Sequence, residues 1–169
     1  MAKDALVSES MAKNFAREKD SPYVRWVHGE GLDIISAHYI ADLNTAPFKP
    51  WQRRGGRGVF INHEASRTSN DCHVCEIPAA GKLAPQRQLF EEMILILAGN
   101  GSTTVWNDAG AKVSFEWGPG SLFAIPLNTW HQHFNGSGST AARFVASTNL
   151  PPVINLYAEP EFVFDTAHD

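Results

Sequence analysis

The chain has 169 residues and a mass of 18.6 kDa, a size that suits one compact domain with its own core. Its formal charge of −4 and its pI near 5.9 argue against general binding to nucleic acid. No apolar run is long enough to span a membrane, and the polar N-terminus lacks the apolar stretch of a signal peptide, so we expect a cytoplasmic protein.

A short helix is predicted from residue 4 to about residue 19. Leu6, Met11 and Phe15 recur there at roughly helical spacing, with few helix-breaking residues between them. We assign residues 1–31 to this helix and to an arm that follows it.

The remainder of the chain consists of β-branched and aromatic runs separated by turn clusters. The runs are LDIISAHYI, GVFIN, CHVCEI, EEMILIL, STTVW, KVSFEW, SLFAI, WHQHF, ARFVAS and VINLY. Many short strands with frequent turn signals indicate a sandwich or a barrel. We therefore predict one all-β domain over residues 32–160. Strand-like sequence close to the last residue leaves open that the chain is one half of a longer, two-barrel protein.

The basic stretch KPWQRRGGRG carries Arg53, Arg54 and Arg57. In an acidic chain we interpret this stretch as a solvated loop. The alternative is that one of these arginines binds a carboxylate at the mouth of a pocket.

The two cysteines, Cys72 and Cys75, have a C-x-x-C spacing that invites a zinc or redox interpretation. Their surroundings are strand-like, and residues three apart on a strand point to opposite faces. We therefore interpret them as two ordinary, buried or half-buried thiols.

Polar residues recur with the period of a strand at two places. Gln86, Gln88 and Glu92 share one parity, so on one strand they face the same side; His131 and His133 do the same on another strand. If both faces line the barrel interior, five polar side chains converge there and need partners or a ligand. A buried Glu92 in particular needs a cation or several hydrogen-bond donors.

Glu91 adjoins Glu92 and has the opposite parity, so we expect it at the surface. On the preceding strand His73 and Glu76 have opposite parities, so at most one of them faces the interior. An outer apolar face is expected to pack against the other sheet or a partner subunit; it comprises Met93, Leu95, Leu97, Trp130 and Phe134.

The segment GSLFAIPLNTWHQHFN resembles the second motif of the cupin superfamily, G-x5-P-x-G-x2-H-x3-N. Gly120, Pro126, His131 and Asn135 all fall in register. Asn128 stands where the family has its central glycine. Asparagine tolerates a left-handed backbone better than other non-glycine residues, so we expect the turn to survive.

The segment GKLAPQRQLFEEMILILAG is similar to the first cupin motif, G-x5-H-x-H-x3-4-E-x6-G. Glu92 and Gly99 hold the family spacing, and Gly81 comes one residue closer than usual. Gln86 and Gln88 stand where the family has its two histidines.

The resemblance, which covers about residues 72–148, implies a cupin double-stranded β-helix, a jelly-roll barrel with its site inside. It also implies a homodimer paired through sheets and a divalent metal such as Fe, Mn, Ni or Zn. With two histidines replaced by amides, the ion would rest on Glu92, His131 and perhaps His133, and would be held weakly. The stretch TWHQHFN is also similar to gentisate-type ring-cleaving dioxygenases.

Three functions follow as hypotheses. The first is a metal-dependent, oxygenase-like enzyme acting on a small aromatic or carboxylate substrate, which Gln86 or Gln88 would orient. The second is a metal-free isomerase or lyase in which His131 or His133 is the general base. The third is a binding module without chemistry. The fold alone does not choose among them.

Overall fold

The computed structural model describes residues 20–63 and 69–165. The helix predicted over residues 4–19 lies outside these ranges. Within them, β-strands predominate and helices are short, which confirms the predicted all-β class.

Ten strands are present in the described ranges: β1 Ile34–Ala37, β2 Lys49–Trp51, β3 Gly56–His63, β4 Asp71–Ile77, β5 Glu92–Ala98, β6 Gly101–Trp106, β7 Lys112–Trp117, β8 Leu122–Ile125, β9 Trp130–Asn135 and β10 Ala142–Thr148. The helical elements are α1 Pro22–Gly29, a 3₁₀ turn Leu43–Thr45, α2 Leu150–Tyr157 and α3 Pro160–Val163.

The strands form two sheets that enclose the core. The larger sheet has the order β1-β3-β4-β10-β5-β8, with β2 also paired to β3, and the smaller sheet has the order β7-β6-β9. All of these pairs are antiparallel except β1 with β3. The interior of this arrangement is therefore lined by β4, β5 and β10 on one side and by β6 and β9 on the other.

Alternation along β5 and β9 decides which side chains face the interior. Glu92, Ile94 and Ile96 on β5 are buried, whereas Met93 and Leu95 between them are exposed. This is the period of two that a half-buried strand requires.

The arm folds into a helix that caps the core. Ser21 accepts a hydrogen bond from the Val24 amide, and Pro22 occupies the first helical position, where its missing N–H costs no hydrogen bond. The helix α1 buries Tyr23 and Val27 in the main core.

The segment VINLY was predicted as a strand, and this was wrong. It lies in α2, which begins at Leu150 and carries Pro151 and Pro152 in its first turn. Proline is tolerated there but cannot donate to a sheet ladder, so these prolines favour a helix start over a continued strand.

The turn before β9 adopts the predicted left-handed backbone. Asn128 has φ 57° at the position of the family glycine. Its amide donates to the Gln88 carbonyl, and its carbonyl and side-chain oxygens accept from Arg87 Nε. These contacts tie the turn to the segment before β5 and fix the direction in which β9 enters the sheet.

The two thiols lie on β4 as expected. Cys75 is buried and Cys72 is half-buried, and neither forms a disulfide. Burial raises the pKa of the Cys75 thiol to about 12, so it is a protonated core side chain at neutral pH.

Within the described ranges, no helix has the length and apolarity needed to cross a membrane.

Candidate functional site

The interior between the two sheets holds a cluster of buried polar side chains centred on Glu92, the first residue of β5. Glu92 Oε2 lies 3.9 Å from His131 Nε2 on β9, and Glu92 Oε1 lies 3.4 Å from His73 Nε2 on β4. The rings of His131 and His133 are 5.3 Å apart. The structure therefore brings the predicted carboxylate and both predicted histidines together.

Arg54 enters this cluster, which corrects the interpretation of its segment as a solvated loop. Its side chain is 1% exposed, and its Nη2 donates to Glu92 Oε1 at 2.9 Å. The segment is ordered because β2 and β3 pair across it and the Arg54 carbonyl accepts from the Ala84 amide. Arg54 thereby supplies the cation that the buried Glu92 carboxylate needs.

The two flanking arginines have other partners. Arg53 donates to Glu30, and its guanidinium lies 4.3 Å from the centre of the Phe164 ring, a cation–π contact. Arg57 is half-exposed and pairs with Glu76 at 2.9 Å. Glu76 thus lies on the face opposite to His73, in agreement with their opposite parity.

Both oxygens of Glu92 accept hydrogen bonds. Arg54 Nη2 donates to Oε1, and Gln88 Nε2 donates to Oε2 at 3.0 Å. Burial by itself raises the pKa of Glu92, but the neighbouring Arg54 charge, the largest opposing effect, outweighs burial and holds that pKa well below its ordinary value. Glu92 is therefore ionised and satisfied at neutral pH.

Gln86 and Gln88 are buried as predicted, but the prediction that they share a strand with Glu92 was wrong. The chain bends at Leu89 and Phe90, and β5 begins only at Glu92. Before the bend, Gln86 forms a bridge with His131, and Gln88 forms one with Phe164. Their backbones thus pair with partners outside β5, so the strand cannot extend backward through them.

The three histidines are neutral in this environment. Burial lowers the pKa of His73 to about 4, with the nearby Arg54 charge adding to the effect. Burial also lowers the pKa of His131, although Glu92 opposes this, and holds the pKa of His133 well below its usual value, with His131 contributing.

Hydrogen bonds to the other ring nitrogens orient two of these imidazoles. His131 Nδ1 lies 3.4 Å from the Thr129 carbonyl oxygen. His133 Nδ1 lies 2.8 Å from Thr103 Oγ1, and Thr103 Oγ1 accepts a hydrogen bond from Trp117 Nε1 at 2.9 Å.

Several buried polar atoms of the described residues have no hydrogen-bond partner. Those in the cluster are His73 Nε2, His131 Nε2, His133 Nε2, Gln86 Nε2, Gln88 Oε1, Arg54 Nε and Arg54 Nη1. Unpaired buried polar groups are costly, and their concentration around one carboxylate marks a place where a polar ligand would be favoured.

A divalent metal does not fit this arrangement. In residues 20–63 and 69–165, no group of three or more His, Cys, Asp or Glu side chains is placed to hold an ion. Glu92, the sole anionic residue among the predicted ligands, is already neutralised by Arg54 and hydrogen-bonded by Gln88. An ion at Glu92 would meet a buried guanidinium, and the two cations would repel each other in a low-dielectric interior.

Sequence reasoning did not assign Arg54 or His73 to the site. His73 was one of two candidates on its strand, and Arg54 entered only through the alternative that one of three arginines binds a carboxylate at a pocket mouth. For His73 the signal was present, because its parity on β4 allowed it to face the interior. For Arg54 the available signal was the requirement of Glu92 for a cation together with an unassigned arginine cluster.

Comparison with known sequences gives a partial match. No family model matches the chain. A curated relative, the 5-aminosalicylate 1,2-dioxygenase of Comamonas sp, is 26% identical over 82 residues, which are 48% of this chain and 21% of that protein. The chain thus spans about a fifth of the length of the relative it matches.

Two solved structures are similar in shape. The oxalate decarboxylase of Lactobacillus farciminis, in its formate complex, gives a TM-score of 0.53 at 17% identity, over 63% of this chain and 32% of that chain. The Cnp3 cupin domain of Schizosaccharomyces pombe gives a TM-score of 0.52 at 16% identity, over 64% of this chain and 66% of that chain. The protein has the cupin fold, a jelly-roll barrel of mostly antiparallel strands.

Proposed function

We propose that this protein is a small-molecule enzyme of the cupin fold that transfers protons through a histidine, without a resident metal. The observation that supports the proposal is the occupation of both Glu92 oxygens by Arg54 and Gln88, beside a neutral His131 whose Nε2 has no hydrogen-bond partner.

His131 has the properties of a general base. Its lowered pKa leaves it neutral and able to accept a proton at pH 7. The Thr129 carbonyl can only accept a hydrogen bond, so Nδ1 carries the ring proton and donates to it, and the lone pair is on Nε2. Glu92, 3.9 Å from that atom, would stabilise the imidazolium that forms when a proton is taken up.

The unpaired donors of the cluster suit an oxygen-rich substrate. Arg54 Nε, Arg54 Nη1 and Gln86 Nε2 are N–H groups without partners, and they would orient a carboxylate or a carbonyl oxygen. Abstraction of a substrate proton by His131 would leave an anion whose charge these donors stabilise. Return of the proton to another atom gives an isomerase, and departure of a leaving group gives a lyase.

A metal-dependent oxygenase is the second candidate, because two observations favour it. Three imidazole Nε2 atoms without partners lie in the cluster that contains Glu92, and the curated relative is a dioxygenase by name. This candidate requires that Arg54 leave Glu92 before an ion could bind.

The deciding experiment uses tag-free, chelator-treated protein in D₂O. A panel of small 2-oxo and dicarboxylic acids is followed by proton NMR, which detects deuterium uptake at the carbon next to the carbonyl or carboxylate group. We expect exchange above the buffer rate, lost in His131→Gln and retained in His28→Gln, a matched control at an exposed position.

Elemental analysis of the same protein, incubated with Fe(II), Mn(II), Ni(II) or Zn(II), covers the alternatives. Stoichiometric metal that is lost in Glu92→Gln would overturn the proposal in favour of the oxygenase. Binding of 5-aminosalicylate or oxalate without exchange of any panel member, and without metal, would favour a non-catalytic binding module.

We also propose that the protein pairs as a homodimer through the outer face of β5 and β8. Leu95 is 38% exposed and lies opposite Leu122, which is 62% exposed; Met93, beside them, is 50% exposed. Exposed apolar side chains that adjoin one another on a sheet are a common feature of subunit interfaces.

A further inference from the structure

A chain of hydrogen bonds links the buried side chain of Trp117 to His133. It begins at the Trp117 indole on β7, passes through the Thr103 hydroxyl on β6, and ends at His133 Nδ1 on β9. Thr103 and His133 lie directly opposite each other in the β6–β9 register. All three side chains are buried, so each hydrogen bond must be satisfied within the protein.

The donor inventory of these groups fixes the direction of every bond. An indole N–H can only donate, so Thr103 Oγ1 accepts from Trp117. The Thr103 proton then remains, and the described residues offer it His133 Nδ1 as an acceptor at 2.8 Å. If His133 Nδ1 carried a proton instead, the Thr103 hydroxyl would keep a fully buried hydrogen without an acceptor, which disfavours that arrangement by about tenfold or more.

We infer that Trp117 and Thr103 hold His133 in the tautomer that carries its proton on Nε2. His133 then presents a hydrogen-bond donor, not a lone pair, to the interior of the site. His131 presents the opposite, because the Thr129 carbonyl leaves its Nε2 bare. The two neighbouring imidazoles are thus an acceptor and a donor, with ring centres 5.3 Å apart.

This assignment has two consequences. An ion in the interior would need the lone pair on His133 Nε2, so binding through this third predicted ligand would first require the opposite tautomer, which is disfavoured by about tenfold or more. The second consequence rests on the proposed function: His133 positions an oxygen of the substrate, and His131 is the base. Thr103 and Trp117 are then positioning residues, since they act through His133 and do not touch the substrate.

The test is the nitrogen-15 NMR spectrum of histidine-labelled protein at neutral pH, in the absence of added metal. Protonated and bare ring nitrogens have widely separated shifts, and His133→Gln identifies the signals of His133. We expect a protonated Nε2 and a bare Nδ1, in a ratio of about ten or more. A protonated Nδ1 in the wild type would overturn the inference, whatever the protein catalyses.

Variants of Thr103 test the relay itself. Thr103→Val keeps the shape and removes the hydroxyl, so the tautomer ratio should fall several-fold, and the Trp117 indole proton should move upfield as it loses its acceptor. Thr103→Ser should restore both signals. Thr104→Val is the matched control, because Thr104 lies next on the same strand but bonds to Ser114 on the outer face.

An unchanged His133 ratio and an unchanged Trp117 signal in Thr103→Val would show that Thr103 does not set the tautomer. If Thr103→Val does not fold, the wild-type and Thr103→Ser spectra still decide the assignment. Oxalate binding is the functional readout: a several-fold loss in Thr103→Val with recovery in Thr103→Ser is expected. Normal tautomers without deuterium exchange of any panel member would contradict the proposed function and leave the relay intact.

Discussion

Removing the Arg54 guanidinium should destabilise the protein severely, because it leaves a buried carboxylate without its cation. Arg54 Nη2 and Glu92 Oε1 are 2.9 Å apart, and both side chains are essentially buried. At an effective dielectric constant of about 20, that separation corresponds to an attraction of about 6 kcal/mol. Measured losses from breaking one partner of a buried pair are about 3–5 kcal/mol, against a total stability of about 5–15 kcal/mol for a domain.

The assay is urea unfolding of Arg54→Met at pH 7.5 (roughly neutral), followed by tryptophan fluorescence and read as a change in the free energy of unfolding. The double variant Arg54→Met/Glu92→Gln should recover most of the loss, since it removes both charges. Arg57→Met is the matched control, because Arg57 is 49% exposed in its pair with Glu76 and should cost less than about 1 kcal/mol. A loss below about 1 kcal/mol in Arg54→Met, or a double variant no more stable than the single one, would refute the reasoning.

Three further predictions concern other parts of the chain. Burial raises the pKa of Asp71 from 3.8 to about 6, so the folded state holds this proton where the unfolded state has lost it. The free energy of unfolding should therefore fall by about 3 kcal/mol as pH rises from well below 3.8 to well above 6, and Asp71→Asn should remove this contribution in urea titrations. Asn128 has φ 57°, so Asn128→Val should lower the free energy of unfolding by about 1–2 kcal/mol, with a smaller effect for Asn128→Gly, as measured by thermal unfolding. Met93→Lys combined with Leu95→Lys should convert the proposed dimer to a monomer in light scattering after size exclusion; an unchanged mass would place the interface elsewhere.

The strands of this protein could be predicted because burial alternates along them. In β5 and β9, every second side chain faces the core, and the sequence shows this period directly. The left-handed turn at Asn128 was also predictable, because few residues other than glycine adopt that backbone. Local signals therefore predicted much of the frame of the site.

The partner of Glu92 could not be read in the same way. Arg54 is 38 residues away from Glu92, and its inward direction depends on the pairing of β2 with β3 and on a loop contact with Ala84. A basic cluster beside glycines has the composition of a solvated loop. The requirement of a buried carboxylate for a cation indicated that some partner exists, but only the tertiary structure identifies Arg54 as that partner.

The position of Arg54 also determines which substitutions would be needed to build a metal site in this barrel. The cupin resemblance suggests that Gln86→His/Gln88→His would restore the missing ligands, but that change alone leaves the guanidinium on Glu92 Oε1. We therefore expect the double variant to bind Mn(II) or Zn(II) weakly. The triple variant that adds Arg54→Met should bind at least about tenfold more tightly, because the competing cation is gone. Isothermal titration of chelator-treated, tag-free proteins measures this difference, with Arg57→Met in place of Arg54→Met as the control for general loss of positive charge. Equal affinities of the double and triple variants would mean that Arg54 moves away from Glu92 without significant cost, and the proposed metal-free chemistry would lose its structural basis.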